Sequence, residues 1–435
     1  MKQGAPGHSR CNNSAYPALD EHGWRSRVNR DRTVRLRWIG WALTSALPLV
    51  FVTGCGTWEK QRGTEIERPT KSAARLTVDV RPDRPAQPAK PITVTASDGR
   101  LYAVSLTGPD GKPVSGGNAA GDATWSNSEP LAYGTTYTLT ASAVDAFGLT
   151  ATRTDTFTTL VPDAEKHVAS VLPEADSTVG VGMPITATLE KPVTDPAQRA
   201  EVEKRLQVSA STPVEGAWGW VDDKTVRYRP KEYWPVGSKV SVATSLVGVD
   251  FGDGVYGGPG KPVGFEVGDS VVATVDAAAH TMTVKRNGTD VKTVPVTTGK
   301  AGFTTRSGTK VVLGKAPHVL MDGTTVGISA NSSDNYRLDV SWATRVTWSG
   351  EFLHAAPWSV GAQGSANVSH GCVGMSDENA KWFYDEVKVG DVVVVVNTGE
   401  SKTMEPFGNG YGEWNLDWSQ WLTHSAAGAS GTRQL

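Results

Sequence analysis

The chain has 435 residues, enough for two to four domains that each bury a core, and its formal net charge of −2 offers no basic surface for nucleic acid. Charged residues are sparse at 20%, whereas Gly (47) and Pro (25) are frequent, with Thr and Val recurring throughout. That composition disfavours a helical bundle and points to an all-β, multidomain exported protein.

Residues 1–54 are polar, then rich in arginine (Arg25, Arg27, Arg30, Arg32, Arg35, Arg37), then uncharged from Trp38 to Gly54, ending in Val52-Thr53-Gly54-Cys55. The uncharged run is just short of a comfortable membrane span. Basic, apolar and small residues ahead of a cysteine resemble a bacterial lipoprotein signal, which implies acylation of Cys55 and anchoring on the outer face of the cytoplasmic membrane. An uncleaved signal-anchor is the other reading. Residues 55–74 are polar and without apolar period, and read as a tether.

Residues 75–161 alternate with period 2, as in Leu76-Thr77-Val78-Asp79-Val80 and Tyr137-Thr138-Leu139-Thr140-Ala141, punctuated by turns at Asp98-Gly99 and Pro109-Asp110-Gly111. Short strands at this spacing predict an immunoglobulin-like sandwich. Residues 162–267 repeat the grammar and predict a second one, interrupted by a helix over Asp195–Leu206 with a charged outer face. Trp218, Trp220, Tyr228, Tyr233 and Trp234 are expected to fill its core and an interdomain seam rather than stack on sugar.

Residues 268–399 predict a third, mainly β domain. Val271–Val275, Thr281–Val284, the turn at Asn287-Gly288 and Val291–Val296 form a hairpin pattern, followed by a short helix at Ala380–Val387 and a buried strand at Val392–Val396. Residues 400–435 form an aromatic extension (Tyr411, Trp414, Trp418, Trp421) expected to pack on a neighbouring domain, with a disordered end from Ser425.

Chemistry concentrates in Val368-Ser369-His370-Gly371-Cys372-Val373. With Cys11 ahead of the export signal and Cys55 at its end, Cys372 has no disulfide partner, which favours a reactive thiol over a structural one. Nucleophilic sulfur needs a base, a fixed orientation and N–H groups aimed at an oxyanion; His370, Gly371 and the upstream His354 supply those residue types. A buried core thiol is the plainer alternative. Zinc is a weaker one, because the pattern lacks a four-ligand set, and no cofactor is expected.

The pattern His354 followed by Ser369-His370-Gly371-Cys372 resembles the L,D-transpeptidases of the bacterial cell wall, over about Asp269–Thr398. The resemblance implies Cys372 as nucleophile, His354 as general base, and amides around His370, Gly371 and Cys372 as the oxyanion hole, with the Tyr336 hydroxyl as an added donor. Ser369 and His370 would shape the site, and Met321 and Trp358 would line the peptide groove. It further implies peptidoglycan stem peptides as substrate, release of D-alanine from a tetrapeptide stem, 3→3 cross-links and reaction with carbapenem-type inhibitors. L,D-carboxypeptidase activity, or a non-catalytic wall-binding scaffold, are the alternatives. Two positions depart from the family pattern: Ala355 stands where Ser often follows the histidine, and Gly374 where a polar residue is usual.

Overall fold

The computed structural model describes residues 69–81, 83–119, 123–399 and 402–435; the export segment, Cys55 and most of the expected tether lie outside them. Ser72–Ala74 already dock onto the first sandwich. Ser72 Oγ donates to Leu149 O, the Ala73 N–H to Asp145 Oδ2, and Ala74 is buried.

Three two-sheet sandwiches follow in chain order. In the first, Arg75–Val78, Thr93–Ser97, Thr124–Asn127 and Gly116–Ala119 form one sheet, and Arg100–Thr107, Thr136–Val144 and Thr150–Thr158 the other. Period-2 alternation does the work here: Tyr137, Leu139, Ala141 and Ala143 point into the core with Val94, Leu106, Trp125 and Phe157, while the interleaved threonines face outward.

The second sandwich pairs Val168–Leu172, Ile185–Leu189, Thr225–Pro230 and Glu215–Trp220 in one sheet and Thr178–Val179, Val263–Val267, Lys239–Val242 and Val208–Ala210 in the other. Trp218, Tyr228 and Trp234 are buried in its core, and Tyr233 packs edge-on to Trp414 at 4.7 Å. The helix Pro196–Arg205 is capped by Asp195, whose carboxylate accepts from Gln198 N, and carries Pro196 in its first turn.

Its charged face is not all solvent-facing. Glu203 is buried and accepts from Trp220 Nε1 (2.8 Å), Ser425 Oγ (2.6 Å), Ala426 N (2.8 Å) and Ala427 N (2.9 Å). The chain beyond Ser425, expected to be disordered, is therefore ordered. Ser430–Gly431 pairs with Glu215 and Gly216, and Arg433–Gln434 with Ser209 and Ala210, so the tail adds one short strand to each sheet. Composition pointed the other way because these polar residues gain their partners from sheet edges formed elsewhere.

The third sandwich sets the sheet Thr289–Pro295, Thr281–Arg286, Val271–Asp276, Val392–Val396, Gly308–Val311 against Gly314–Asp322, Arg337–Arg345, Phe352–Ala355, Val373–Met375. Met282, Val294, Leu353, Phe383 and Val395 fill the space between. The helix spans Asp377–Glu386, three residues earlier than expected, because Ser376 accepts from Asn379 N and Asp377 and Glu378 suit the first turn.

The second and third sandwiches meet at a close backbone contact. Gly180 N donates to Val389 O and Gly182 N to Gly390 O, both at 2.9 Å. A Cβ on Gly180 would stand 2.2 Å from Asp391 N, so only glycine fits this seam.

Candidate active site

The strands Phe352–Ala355 and Val373–Met375 run parallel, with His354 opposite Gly374. Because side chains alternate across a strand, this register carries His354 and Cys372 to the same face of the sheet. That face opens on a cavity of about 450 Å³ whose walls include Met321, Tyr336, His354, Trp358, Ser369, His370, Cys372 and Gly374. All the catalytic and groove residues expected from the sequence except Gly371 line it, and Gly371 links two that do.

His354 is 5% exposed, and its Nδ1 lies 2.7 Å from the carbonyl oxygen of Ala355. A carbonyl only accepts, so Nδ1 carries the proton and Nε2 is left basic. The orientation comes from the backbone, which is why Ala355 in place of serine costs the imidazole nothing. Burial lowers the His354 pKa, with the Ala355 carbonyl opposing.

Cys372 is a free thiol, partly exposed to the cavity, and it lies 3.7 Å from Gly350 O. Protein packed around the rest of the side chain pushes its pKa from 9.0 up to about 12. Burial thus favours the neutral form of both the thiol and the imidazole.

The loop ahead of the cysteine is held by its own hydroxyl. Ser369 Oγ donates to Cys372 O at 2.6 Å and accepts from Gly371 N at 3.1 Å, and Gly371 adopts φ +124°, where a side chain is disfavoured. The Gly371 amide is therefore engaged in the resting loop. Thr305 Oγ1 donates to Gly371 O at 2.8 Å and fixes the following peptide, so both sides of Gly371 are held.

His370 turns toward Asp334 (Nε2 to Oδ1 3.5 Å), and Lys300 Nζ holds that carboxylate at 2.6 Å. Its ring sits between Phe303, at 4.8 Å, and Tyr336, at 5.1 Å. It is a packed wall of the site. Burial raises the Tyr336 pKa, and a thiolate at Cys372 would raise it further. Trp358 is 56% exposed with its ring 6.2 Å from that of His354, a flat apolar surface at the mouth.

Gly374 exchanges backbone hydrogen bonds with Thr297 (2.8 and 3.0 Å). A Cβ there would stand 2.9 Å from Thr297 Cγ2 and 3.0 Å from Ala356 Cβ, so the glycine lets these segments pack flat along the cavity wall.

Sequence reasoning missed Thr297, Leu338, Val340, Ser359 and Val368 as walls, which carry no distinctive chemistry in the sequence. It also missed Lys310 and Glu351, both buried beneath the cysteine. Lys310 could have drawn notice, because it directly precedes the apolar pair Val311-Val312, and all three are buried.

The chain is similar to known L,D-transpeptidases. The family profile for the L,D-transpeptidase catalytic domain matches residues 270–395, and that for a bacterial Ig domain matches residues 83–250. L,D-transpeptidase 2 of Mycobacterium tuberculosis (strain CDC 1551 / Oshkosh) is 41% identical over 357 residues, 82% of this chain and 83% of its own. A solved complex of the L,D-transpeptidase LdtMt1 with imipenem is 41% identical, covering 54% of this chain and 100% of that one, with a TM-score of 0.47. L,D-transpeptidase 3 of Mycobacterium tuberculosis in complex with a faropenem-derived adduct is 34% identical, covering 53% and 98%, with a TM-score of 0.46.

Proposed function

The chain belongs to the L,D-transpeptidase family, and on that premise we propose that Cys372 is its acyl-accepting sulfur and His354 the base that activates it. The activity is that of a peptidoglycan L,D-transpeptidase, a cysteine acyltransferase working in the cell wall on the extracytoplasmic side. The observation that supports the residue roles best is the Nδ1–H to Ala355 O hydrogen bond, which fixes the tautomer and leaves Nε2 basic on the face shared with Cys372.

His354 Nε2 takes the thiol proton as Cys372 Sγ attacks the carbonyl of the third residue of a tetrapeptide stem. The developing oxyanion meets the Cys372 amide and the Tyr336 hydroxyl, since the Gly371 amide is already bonded to Ser369. Collapse breaks the amide bond, the imidazolium returns its proton to the departing D-alanine amine, and a thioester remains. The side-chain amine of a neighbouring stem then attacks the thioester, passes a proton to His354, and the tetrahedral species expels Cys372 with the 3→3 cross-link formed. Met321, Tyr336 and Trp358 hold the stem against the cavity wall.

A β-lactam of the imipenem type is expected to acylate the same sulfur. Anchoring is expected through Cys55, on the strength of Thr53-Gly54-Cys55 after the uncharged run; Cys55→Ser should release the protein from the membrane. Among the described residues no helix is long and apolar enough to cross a membrane.

The test is mass spectrometry of products from disaccharide-tetrapeptide. A dimer lacking one D-alanine, lost by about 10⁴-fold or more with Cys372→Ala, is expected. A tripeptide monomer as the sole product would replace the reading with hydrolysis, and unchanged dimer formation by Cys372→Ala would overturn the assignment of the nucleophile.

A further inference from the structure

Three charged side chains below the cysteine take no part in that scheme. Lys310 is fully buried, and its Nζ donates to Glu351 Oε2 at 2.6 Å. Glu351 Oε1 accepts from Arg306 Nη1 at 3.0 Å and from Arg306 N at 3.1 Å. Arg306 reaches Glu405 at the rim (Nε to Oε1 3.1 Å), a carboxylate about half exposed and so screened by water. The enclosed part of the cluster therefore holds two cations and one carboxylate.

The cluster touches the nucleophile from two sides. Glu351 lies between Gly350, whose carbonyl faces Cys372 Sγ at 3.7 Å, and Phe352, whose backbone N–H also addresses that sulfur. A Cβ on Gly371 would come within 4.0 Å of Glu351 Oε1. Thr305, next to Arg306, holds the Gly371 carbonyl.

Burying charges costs several kcal/mol per ion, and apolar replacements of similar volume often stabilise a fold, so stability alone is a poor reason to keep three of them here. Burial lowers the Lys310 pKa, Glu351 favours the ammonium and Arg306 opposes it; at the sulfur, burial and then Glu351 raise the thiol pKa while Lys310 lowers it. We propose that Arg306, Glu351 and Lys310 form a positioning cluster in which Lys310 stabilises the Cys372 thiolate as it forms, while Glu351, held by Arg306 and Lys310, fixes the segment that brackets the sulfur and opposes its ionisation. The inference rests on Cys372 being the nucleophile.

Other groups facing the sulfur are His354 on the adjacent strand, Tyr336 on the hairpin, and His370 on its own loop with Asp334 and Lys300 behind it. None of them is altered in the test. The readout is the rate of Cys372 alkylation by iodoacetamide between pH 7 and 9 in the folded chain, with thermal unfolding recorded for each variant.

A one-unit change in thiol pKa should alter that rate about three- to fivefold, because a larger thiolate fraction is partly offset by weaker nucleophilicity. Lys310→Met should slow alkylation by that factor and Glu351→Gln should speed it. Lys310→Arg, and the double variant Lys310→Met/Glu351→Gln, should return close to the parent rate. A purely structural role would move both single variants the same way. If Lys310→Met does not fold, the sign for Glu351→Gln and the return in the double variant still decide. Single variants that shift together, or not at all, overturn the proposal. The assay reads the sulfur and not the cross-linked product, so it fails or succeeds separately from the assignment of transpeptidation.

Discussion

The second and third sandwiches both bury charge, but to different ends. In the second, Arg227 Nη1 pairs with Glu413 Oε2 at 3.0 Å, and Arg229 lies 4.8 Å under Trp414 and 5.4 Å under Trp421. Glu413, Trp414 and Trp421 all belong to the returning C-terminal tail, so these charges fasten two parts of the chain together. In the third, the Lys310–Glu351–Arg306 cluster lies beneath a cavity wall and a thiol. The same device is a clasp in one sandwich and an electrostatic floor in the other, and what separates them is access to a cavity.

That contrast can be broken at its catalytic end first. His354→Ala should lower transpeptidation about 10²- to 10⁴-fold, as loss of a general base does, with the melting temperature little changed. A parent-like rate would remove His354 from the mechanism.

At the clasp the expected effect is on stability. Glu413→Ala leaves Arg227 and Arg229 buried without their carboxylate and should cost about 3–5 kcal/mol in denaturant unfolding, while activity per folded molecule is unchanged. A loss of activity without a loss of stability would mean that the tail reaches the site after all.

A smaller effect sharpens the seam between the two sandwiches. Burial raises Asp391 from 3.8 to about 6, with hydrogen bonds and charge from Lys388 opposing. A raised carboxyl pKa contributes stability that is fully present below about pH 4 and lost as pH rises through 6. Stability of the parent measured against Asp391→Asn should therefore show a relative decline between pH 4 and 7, and parallel curves would contradict the assignment.

Legibility in the sequence followed the same division. Alternating strands such as Tyr137–Ala143 and the Ser369–Cys372 pattern could be read because local periodicity and a rare residue set carry their own signal. The joining of Ser430–Gly431 and Arg433–Gln434 to two sheets could not, since each strand of two residues exists only through distant edges. Glu203, Lys310 and Glu351 were hidden for a related reason: a charge reads as solvent-facing until its buried partners are known. His354 and His370 are alike as residue types in the sequence, and the fold sets them apart by position. His354 is oriented by Ala355 O, whereas His370 is packed between Phe303 and Tyr336 and turned to Asp334.

The central claim is that a neutral thiol and a neutral imidazole wait in the resting site. Thiolate absorbance near 240 nm, titrated in the intact protein with Cys372→Ala subtracted, tests it most directly. The account predicts no Cys372 thiolate signal through about pH 9, above the ordinary thiol value of about 8.5. A full thiolate signal already present at pH 6 would contradict it and replace general-base activation with a preformed ion pair.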